Sequence, residues 1–423
     1  MNIETFFNGD DAQRFFFPGK IFIGNGISAK AAELLGQASS IAIIVDQVFA
    51  DSSLYHCLAD AGKSARVSTW ITRGAPFAQD IIEFINQIGG APDVVISIGG
   101  GSAADFAKSI ILQELFGTID GVGVGEKRGM SPRDVARRPL YIAIPTTVGS
   151  GAESSRYFVT YDKHTHGKVY GKTWQVVADW IFLDPQHLAS MSDAALVSCA
   201  FDAFVHLFET FIVKHERSAF GDMFSLEGIP RIMAALERGV VRGGRDARTH
   251  EDLLFAATLA GVAISNVRTG NIHEAAGALL ELTDLNHPET LFVFFRDAVE
   301  QYLGEITDRE QALIPRLRLI PAFADFTRMD DVICWWEALF ARVGLVERIR
   351  VSLDRLAPSQ ETAKAHIFQR VFTDKVWITK ESPLPLDEAG ISGFIDRSLA
   401  RFGLAGRNRL IKPSATDYRS NQT

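Results

Sequence analysis

An α/β amino-terminal half followed by an all-helical carboxy-terminal half is the fold class that the sequence predicts, and three observations predict it. Over the first 190 residues, short β-rich runs alternate with helical stretches. Several of those runs are almost continuously apolar, as strands buried on both faces of a parallel sheet are. After about residue 190 the strand signal stops and only helical periodicity remains. The expectation is a doubly wound parallel sheet within residues 1–190, a helical domain over 191–412 and a polar tail, 413–423, that frays.

The strand candidates, in order, are IAIIVD (41–46), ARVSTWI (65–71), DVVISIGG (93–100), LYIAIPTT (140–147), RYFVTYD (156–162) and WIFLD (180–184). All are rich in β-branched and aromatic residues. Helix-like segments such as ISAKAAELLGQA and AQDIIEFINQIGG lie between them. Beyond 190, the stretch from SDAALVSCAFDAFVHLFETFIVKH to LIPAFADFTRMDDVICWWEALFARVGL keeps helical period, broken by turn clusters such as RGGRDAR at 242–248.

At 423 residues the chain is too long for one core, and its composition, 47% apolar and 22% charged, is that of a globular protein. A net charge of −8 argues against nucleic acid or an anionic membrane as partner, since both select basic patches. The first residues, MNIETFFNGDDAQRFFFPG, carry acids where a signal peptide needs basic ones. The longest apolar run, LLFAATLAGVAI from Leu253, falls short of the roughly twenty residues of a membrane span. A cytoplasmic protein is expected, with Cys57, Cys199 and Cys334 as reduced core residues.

VVISIGGGSAADFAKSI places three glycines between a buried strand and a helix. Glycines let a ligand approach the backbone, and the N–H groups at a helix start attract anions, so a pyrophosphate fits here. Ser102 and Asp105 have the spacing of a capping box. This loop is not the GxGxxG of the common dinucleotide fold, which implies a different scaffold. Asp46 ends the first strong strand; an acid there takes ribose hydroxyls and repels a 2′-phosphate, favouring NAD(H) over NADP(H), and it equally serves as a helix cap. FDAFVHLFET (201–210) carries Asp202 and His206 four positions apart, on one side of a helix. Two explanations compete: a local hydrogen bond, or half of a metal site.

Together these segments resemble the iron-dependent (group III) alcohol dehydrogenases. GGGSAADFAK is similar to that family's GGGSxxDxAK loop, IPTTVGSGAESSRYFVTYD to its IPTTxGTGSExTxxxVITD segment, IFLDP to its (V/I)xDP element and FDAFVHLFET to its DAxxHxxE helix. The resemblance covers roughly residues 14 to 290. It implies the two-domain architecture shared with dehydroquinate synthase, NAD(P) and a divalent metal in the interdomain cleft, and interconversion of a small alcohol and aldehyde. The implied metal ligands are Asp202, His206, His273 and His287, suited to Fe²⁺ or alternatively Zn²⁺. A continuous helix would hold the last two about 21 Å apart, so the chain must turn between them, and TDLNHP supplies the turn. Gly99, Gly100, Gly101 and Ser102, with Asp105 in the same loop motif, are implied at the pyrophosphate, Thr146, Thr147 and Ser155 at the nicotinamide, and Lys168 at a ribose.

Three departures mark this chain. Gly277 stands where many relatives carry a further histidine, leaving Glu274 or a water chain for the proton relay; Pro288 follows His287 where the family has glycine; and Ala152 replaces a hydroxyl. Arg156, Tyr157, Arg268 and Asn271 favour a polar or anionic aldehyde. Competing expectations are a dehydroquinate-synthase-like lyase without net redox and a non-catalytic dinucleotide-binding relative. A homodimer is expected.

Overall fold

Runs of six or seven mostly apolar residues build the centre of the sheet. In this computed structural model, which describes residues 16–17, 19–119, 138–164, 168–214, 217–356, 359–373 and 382–404, the strands are β1 (Lys20–Ile23), β2 (Ser40–Asp46), β3 (Arg66–Thr72), β4 (Val94–Gly99), β5 (Leu140–Pro145), β6 (Tyr157–Tyr161), β7 (Lys168–Lys172) and β8 (Trp180–Leu183). Six form one parallel sheet in the order β1-β8-β5-β4-β2-β3. β2 and β4 are buried almost throughout, which is why they read as continuous apolar runs. β6 and β7 instead form a separate antiparallel hairpin, so RYFVTYD is not a strand of the main sheet. Its burial alternates residue by residue, the pattern of a half-buried ribbon.

Helices cover both faces. On one, Ile41, Ile43 and Val45 of β2 and Val94, Ile96 and Ile98 of β4 pack with Leu54 and Leu58 of α1 (Ser53–Ala61). On the other, Trp70 stacks near Phe84 of α2 (Ala78–Ile88) and Phe106 of α3 (Gly101–Phe116). ISAKAAELLGQA forms a 3-10 helix, Ile27–Leu34. The chain winds outward from β2 to β3, then crosses back through α2 to β4 and proceeds the other way. The strand order therefore reverses between β2 and β4. In open α/β sheets a crevice opens at that point, beyond the carboxyl ends of the strands.

No strand follows Leu183 among the described residues. α4 (Asp193–Ile212) starts at Ser192, whose side chain accepts from Ala195 N, and α5 (Ala219–Leu236) and α6 (Ala247–Asn266) pack with it. α4 is long and apolar enough to cross a membrane, yet 89% of its most apolar window is buried, as in a core helix. Counting unbroken runs passed it over because Asp202, His206 and Glu209 interrupt it.

By packing, the chain forms two units. The first runs to Thr269 and includes Leu319–Ala322; the second comprises Gly270–Arg318 and the residues from Phe323 on. The second holds α7 (Asn271–Leu280), α8 (His287–Tyr302), α9 (Thr307–Leu317), α10 (Met329–Arg342), α11 (Leu345–Asp354), α12 (Gln360–Phe368) and α13 (Glu388–Leu399). Element type changes near residue 190, whereas packing closes the first unit at Thr269. The three cysteines are free thiols, and Cys57 is exposed rather than in the core. The tail 413–423 lies outside the described residues.

Candidate active site

The glycine loop sits at the strand-order reversal and is closely packed at each glycine. A Cβ on Gly99 would fall 2.7 Å from Ala103 Cβ, one on Gly100 2.9 Å from Thr147 Oγ1, and one on Gly101 3.0 Å from Ser150 Oγ. The loop thus lies flat against its neighbours, and a small cleft opens beside it, lined in part by Gly99, Gly100, Pro145, Thr147, Ser150 and Glu153. Thr146 N donates to Gly99 O at 3.1 Å, tying the TT turn after β5 to the end of β4.

Ser102 and Asp105 do not form a capping box. Gly100 is the N-cap of α3 without a side-chain cap, Ser102 already lies within the first turn, and Asp105 Oδ2 accepts from Val159 N at 3.1 Å. The helical turn starts two residues earlier than a Ser102 cap would place it. The helix start is then free of a capping side chain, as an anion-binding terminus requires. Asp46 ends β2 at the same reversal, 3.2 Å from where a Gly99 Cβ would stand, and its Oδ1 accepts from Val48 N at 3.0 Å. Asp46 therefore caps a short helix, and its Cβ stands beside the glycine loop.

Ser155 is buried, and its Oγ accepts from Tyr157 N at 3.0 Å. Lys168 opens β7 opposite Tyr161. The residue that sequence reasoning missed is Lys108, the last letter of GGGSAADFAK. Its side chain is 0% exposed, and Nζ donates to Ser155 O at 2.8 Å and Tyr157 O at 2.6 Å. Burial lowers its pKa to about 8, opposed by the Asp105 and Glu153 carboxylates. Burial likewise raises Asp105 to about 6, with Lys108 pulling it back. A lysine at i+3 from an aspartate on an otherwise apolar helix was the available signal.

In α4, Asp202 Oδ1 and His206 Nε2 stand 3.7 Å apart, and both residues are buried. That separation is too long for a hydrogen bond. The two groups are within ion-pairing reach of each other on one face of the helix. In the second unit, His273 is the third residue of α7 and His287 the first of α8. The chain turns between them as expected, and the two rings lie 5.5 Å apart, centre to centre. His287 is fixed by a capping box around it: Asn286 Oδ1 accepts from Glu289 N, and Glu289 Oε2 accepts from Asn286 N. Pro288 occupies the helix's first turn, where its missing N–H costs nothing. Carboxylate and imidazole, the ligand types that these residues carry, both suit Fe²⁺ or Zn²⁺.

At Gly277, in α7, an added Cβ would meet open space. Arg156 lies over the Trp174 ring at 5.0 Å while its N–H donates to Ser265 Oγ at 2.9 Å. Arg268 follows α6 by two residues, and Asn271 Nδ2 donates to the Tyr302 hydroxyl at 2.9 Å.

Residues 18–185 match the iron-containing alcohol dehydrogenase family, and residues 196–353 match the carboxy-terminal domain of the Fe-containing alcohol dehydrogenases. The chain belongs to the iron-containing alcohol dehydrogenase family. It is 29% identical over 195 residues to alcohol dehydrogenase 4 of Saccharomyces cerevisiae, a match covering 46% of this chain and 49% of that protein. It is 27% identical over 248 residues to 4-hydroxybutyrate dehydrogenase of Clostridium kluyveri, covering 57% and 64%. The chain thus spans between 49% and 64% of the length of these two relatives. The fold is that of sulfoacetaldehyde reductase from Bifidobacterium kashiwanohense, solved with NAD+, at a TM-score of 0.77 and 18% identity over 92% of this chain and 99% of that one.

Proposed function

We propose that this member of the iron-containing alcohol dehydrogenase family is a metal-dependent, NAD(H)-linked alcohol dehydrogenase working as an aldehyde reductase, with polar or anionic aldehydes as its preferred substrates. The observation that carries the reading is the buried Asp202–His206 pair, whose Oδ1 and Nε2 stand 3.7 Å apart on one helix and offer a carboxylate and an imidazole of the kind that a divalent cation takes. His273 and His287 are the further ligands that the family resemblance implies.

When bound, the ion supplies Lewis acidity to the alcohol or carbonyl oxygen. The nicotinamide dinucleotide supplies the hydride carrier. The chain's own residues hold and orient. Backbone N–H groups at Gly100 and Gly101 and the start of α3 take the diphosphate. Asp46 accepts the adenine ribose hydroxyls, and its charge disfavours a 2′-phosphate there. Thr147, packed against Gly100, and Ser155 and Lys168 on the hairpin flank the nicotinamide half. Arg156, steadied over Trp174, and Arg268 supply positive charge for an anionic substrate group. The names of two relatives, 4-hydroxybutyrate dehydrogenase and sulfoacetaldehyde reductase, support that class.

The test follows NADH oxidation by protein loaded anaerobically with Fe²⁺ or Zn²⁺, against paired neutral and anionic aldehydes. Turnover is expected with the anionic members ahead, and Asp202→Ala is expected to lose both turnover and calorimetric metal binding. Metal and NADH bound without turnover on any aldehyde would sink the reductase reading.

A further inference from the structure

Along Tyr157–Val159 the outer edge of strand β6 meets side chains of helix α3, and at Tyr161 it meets the backbone of Pro76 and Phe77. In an antiparallel ladder, alternate residues turn their backbone groups away from the partner. In β6, outward groups of Tyr157, Val159 and Tyr161 find partners elsewhere. Tyr157 O accepts from Lys108 Nζ at 2.6 Å, Val159 N donates to Asp105 Oδ2 at 3.1 Å, and Tyr161 N donates to Pro76 O at 3.0 Å. Lys108 also reaches Ser155 O at 2.8 Å, just before the strand. Asp105 and Lys108 lie one turn apart on α3, so a single helix face engages residues 155, 157 and 159 in succession.

Lys108 is an expensive way to do this unless position matters. A fully buried ammonium is unfavourable without full hydrogen bonding, and here Nζ has two carbonyls and, at 4.0 Å, the Asp105 carboxylate. Its burial also keeps it from touching any ligand. The same hairpin carries Ser155 and Lys168, and the same helix begins at the glycine loop.

We propose that Lys108 and Asp105 are positioning residues that lock the Ser155–Lys172 hairpin to helix α3, so that the diphosphate-binding loop and the nicotinamide-side residues form one rigid seat. The inference rests on the dinucleotide reading above.

The experiment compares wild type, Lys108→Met, Asp105→Ala and Asp105→Asn. NADH binding is followed by fluorescence, steady-state constants are measured with metal-loaded enzyme, and amide exchange is read at Val159 and across 155–172. Lys108→Met is expected to keep its circular dichroism, raise the NADH Kd about fivefold or more, raise KM for NADH with kcat at saturation within about twofold, and speed exchange in the hairpin. Asp105→Asn retains an acceptor for Val159 N and is expected to restore most of what Asp105→Ala loses. A folded Lys108→Met with wild-type NADH affinity, or with unchanged hairpin exchange, overturns the proposal. If Lys108→Met does not fold, Asp105→Ala decides: unchanged Val159 exchange or unchanged Kd overturns it, and loss of both supports it. If wild type itself binds no NADH, the dinucleotide reading fails and the proposal falls with it, while hairpin exchange still separates that result from failure of the lock.

Discussion

Gly151 and Gly261 meet backbone to backbone: a Cβ on Gly261 would lie 2.0 Å from Gly151 O, and one on Gly151 would lie 2.4 Å from Ala257 O. Helix α6 therefore presses directly on the GSGAESS loop. Around that contact, Ser154 Oγ donates to Thr258 O at 2.8 Å and Thr258 Oγ1 to Glu153 Oε1 at 2.8 Å. A Gly261→Ala methyl would be driven into the Gly151 backbone and into Ser154 Oγ, 2.3 Å away. It is expected to cost about 3 kcal/mol, seen as a lower urea midpoint at unchanged slope. A loss within about 0.5 kcal/mol would mean that the loop yields freely.

Burial acts on Asp105 and Lys108 in opposite directions, and stability should record both. Asp105, raised from 3.8 to about 6 by burial, holds its proton longer in the folded chain. Its contribution is complete below 3.8 and declines as pH climbs through 6. Lys108, lowered from 10.5 to about 8, sheds its proton sooner when folded, so stability gains as pH rises from 8 towards 10.5 and is lost as it falls back through 8. Urea midpoints across both windows check this. The acid-side decline is expected to vanish from the Asp105→Asn curve, and the alkaline rise from that of Lys108→Met.

In the second unit, Arg401 Nη2 lies 2.6 Å from Asp297 Oδ2, and the Asp297 side chain is 4% exposed. Burial pushes the Asp297 carboxyl up, and Arg401 beside it pulls it down. Removing the arginine strands a buried charge. Arg401→Ala is expected to cost about 3 kcal/mol, the lower end for a broken buried pair, because Arg397 remains 3.9 Å away. The companion Arg401→Ala/Asp297→Asn is expected to recover part of it in denaturant titration. Equal losses in the single and double variants would show that packing, not charge, is responsible.

Asp46 offers a test of cofactor choice that spares the fold. Asp46→Asn keeps an oxygen for Val48 N, so the cap survives. Only the charge is removed. The ratio of kcat/KM for NADH over NADPH is expected to fall by about tenfold or more, since each 1.4 kcal/mol of differential binding is a factor of ten. An unchanged ratio would take Asp46 away from the ribose.

Much of this was legible in the sequence because the informative residues obey local rules. Buried strands such as IAIIVD announce themselves by continuous apolarity, and Asp202 and His206 by helical spacing alone. The antiparallel hairpin was not legible: assigning YFVTY to it requires knowing its partner, KVYGK, which carries two lysines and no apolar alternation of its own. Edge strand β1 was missed because four residues, KIFI, fall below any reliable period. Lys108 was visible as a letter in a motif, but its role depends on carbonyls 47 and 49 positions away. The capping box failed for the converse reason, since Asp105 finds Val159 N, a partner that no i,i+3 rule contains.

Gly277 stands in helix α7 with neither a positive φ nor a neighbour that would exclude a side chain. A glycine inside a helix weakens it by about 1 kcal/mol relative to alanine, so neither backbone geometry nor crowding explains its presence. The position is vacant of neighbours, so a larger side chain introduced there, a histidine included, would begin in open space.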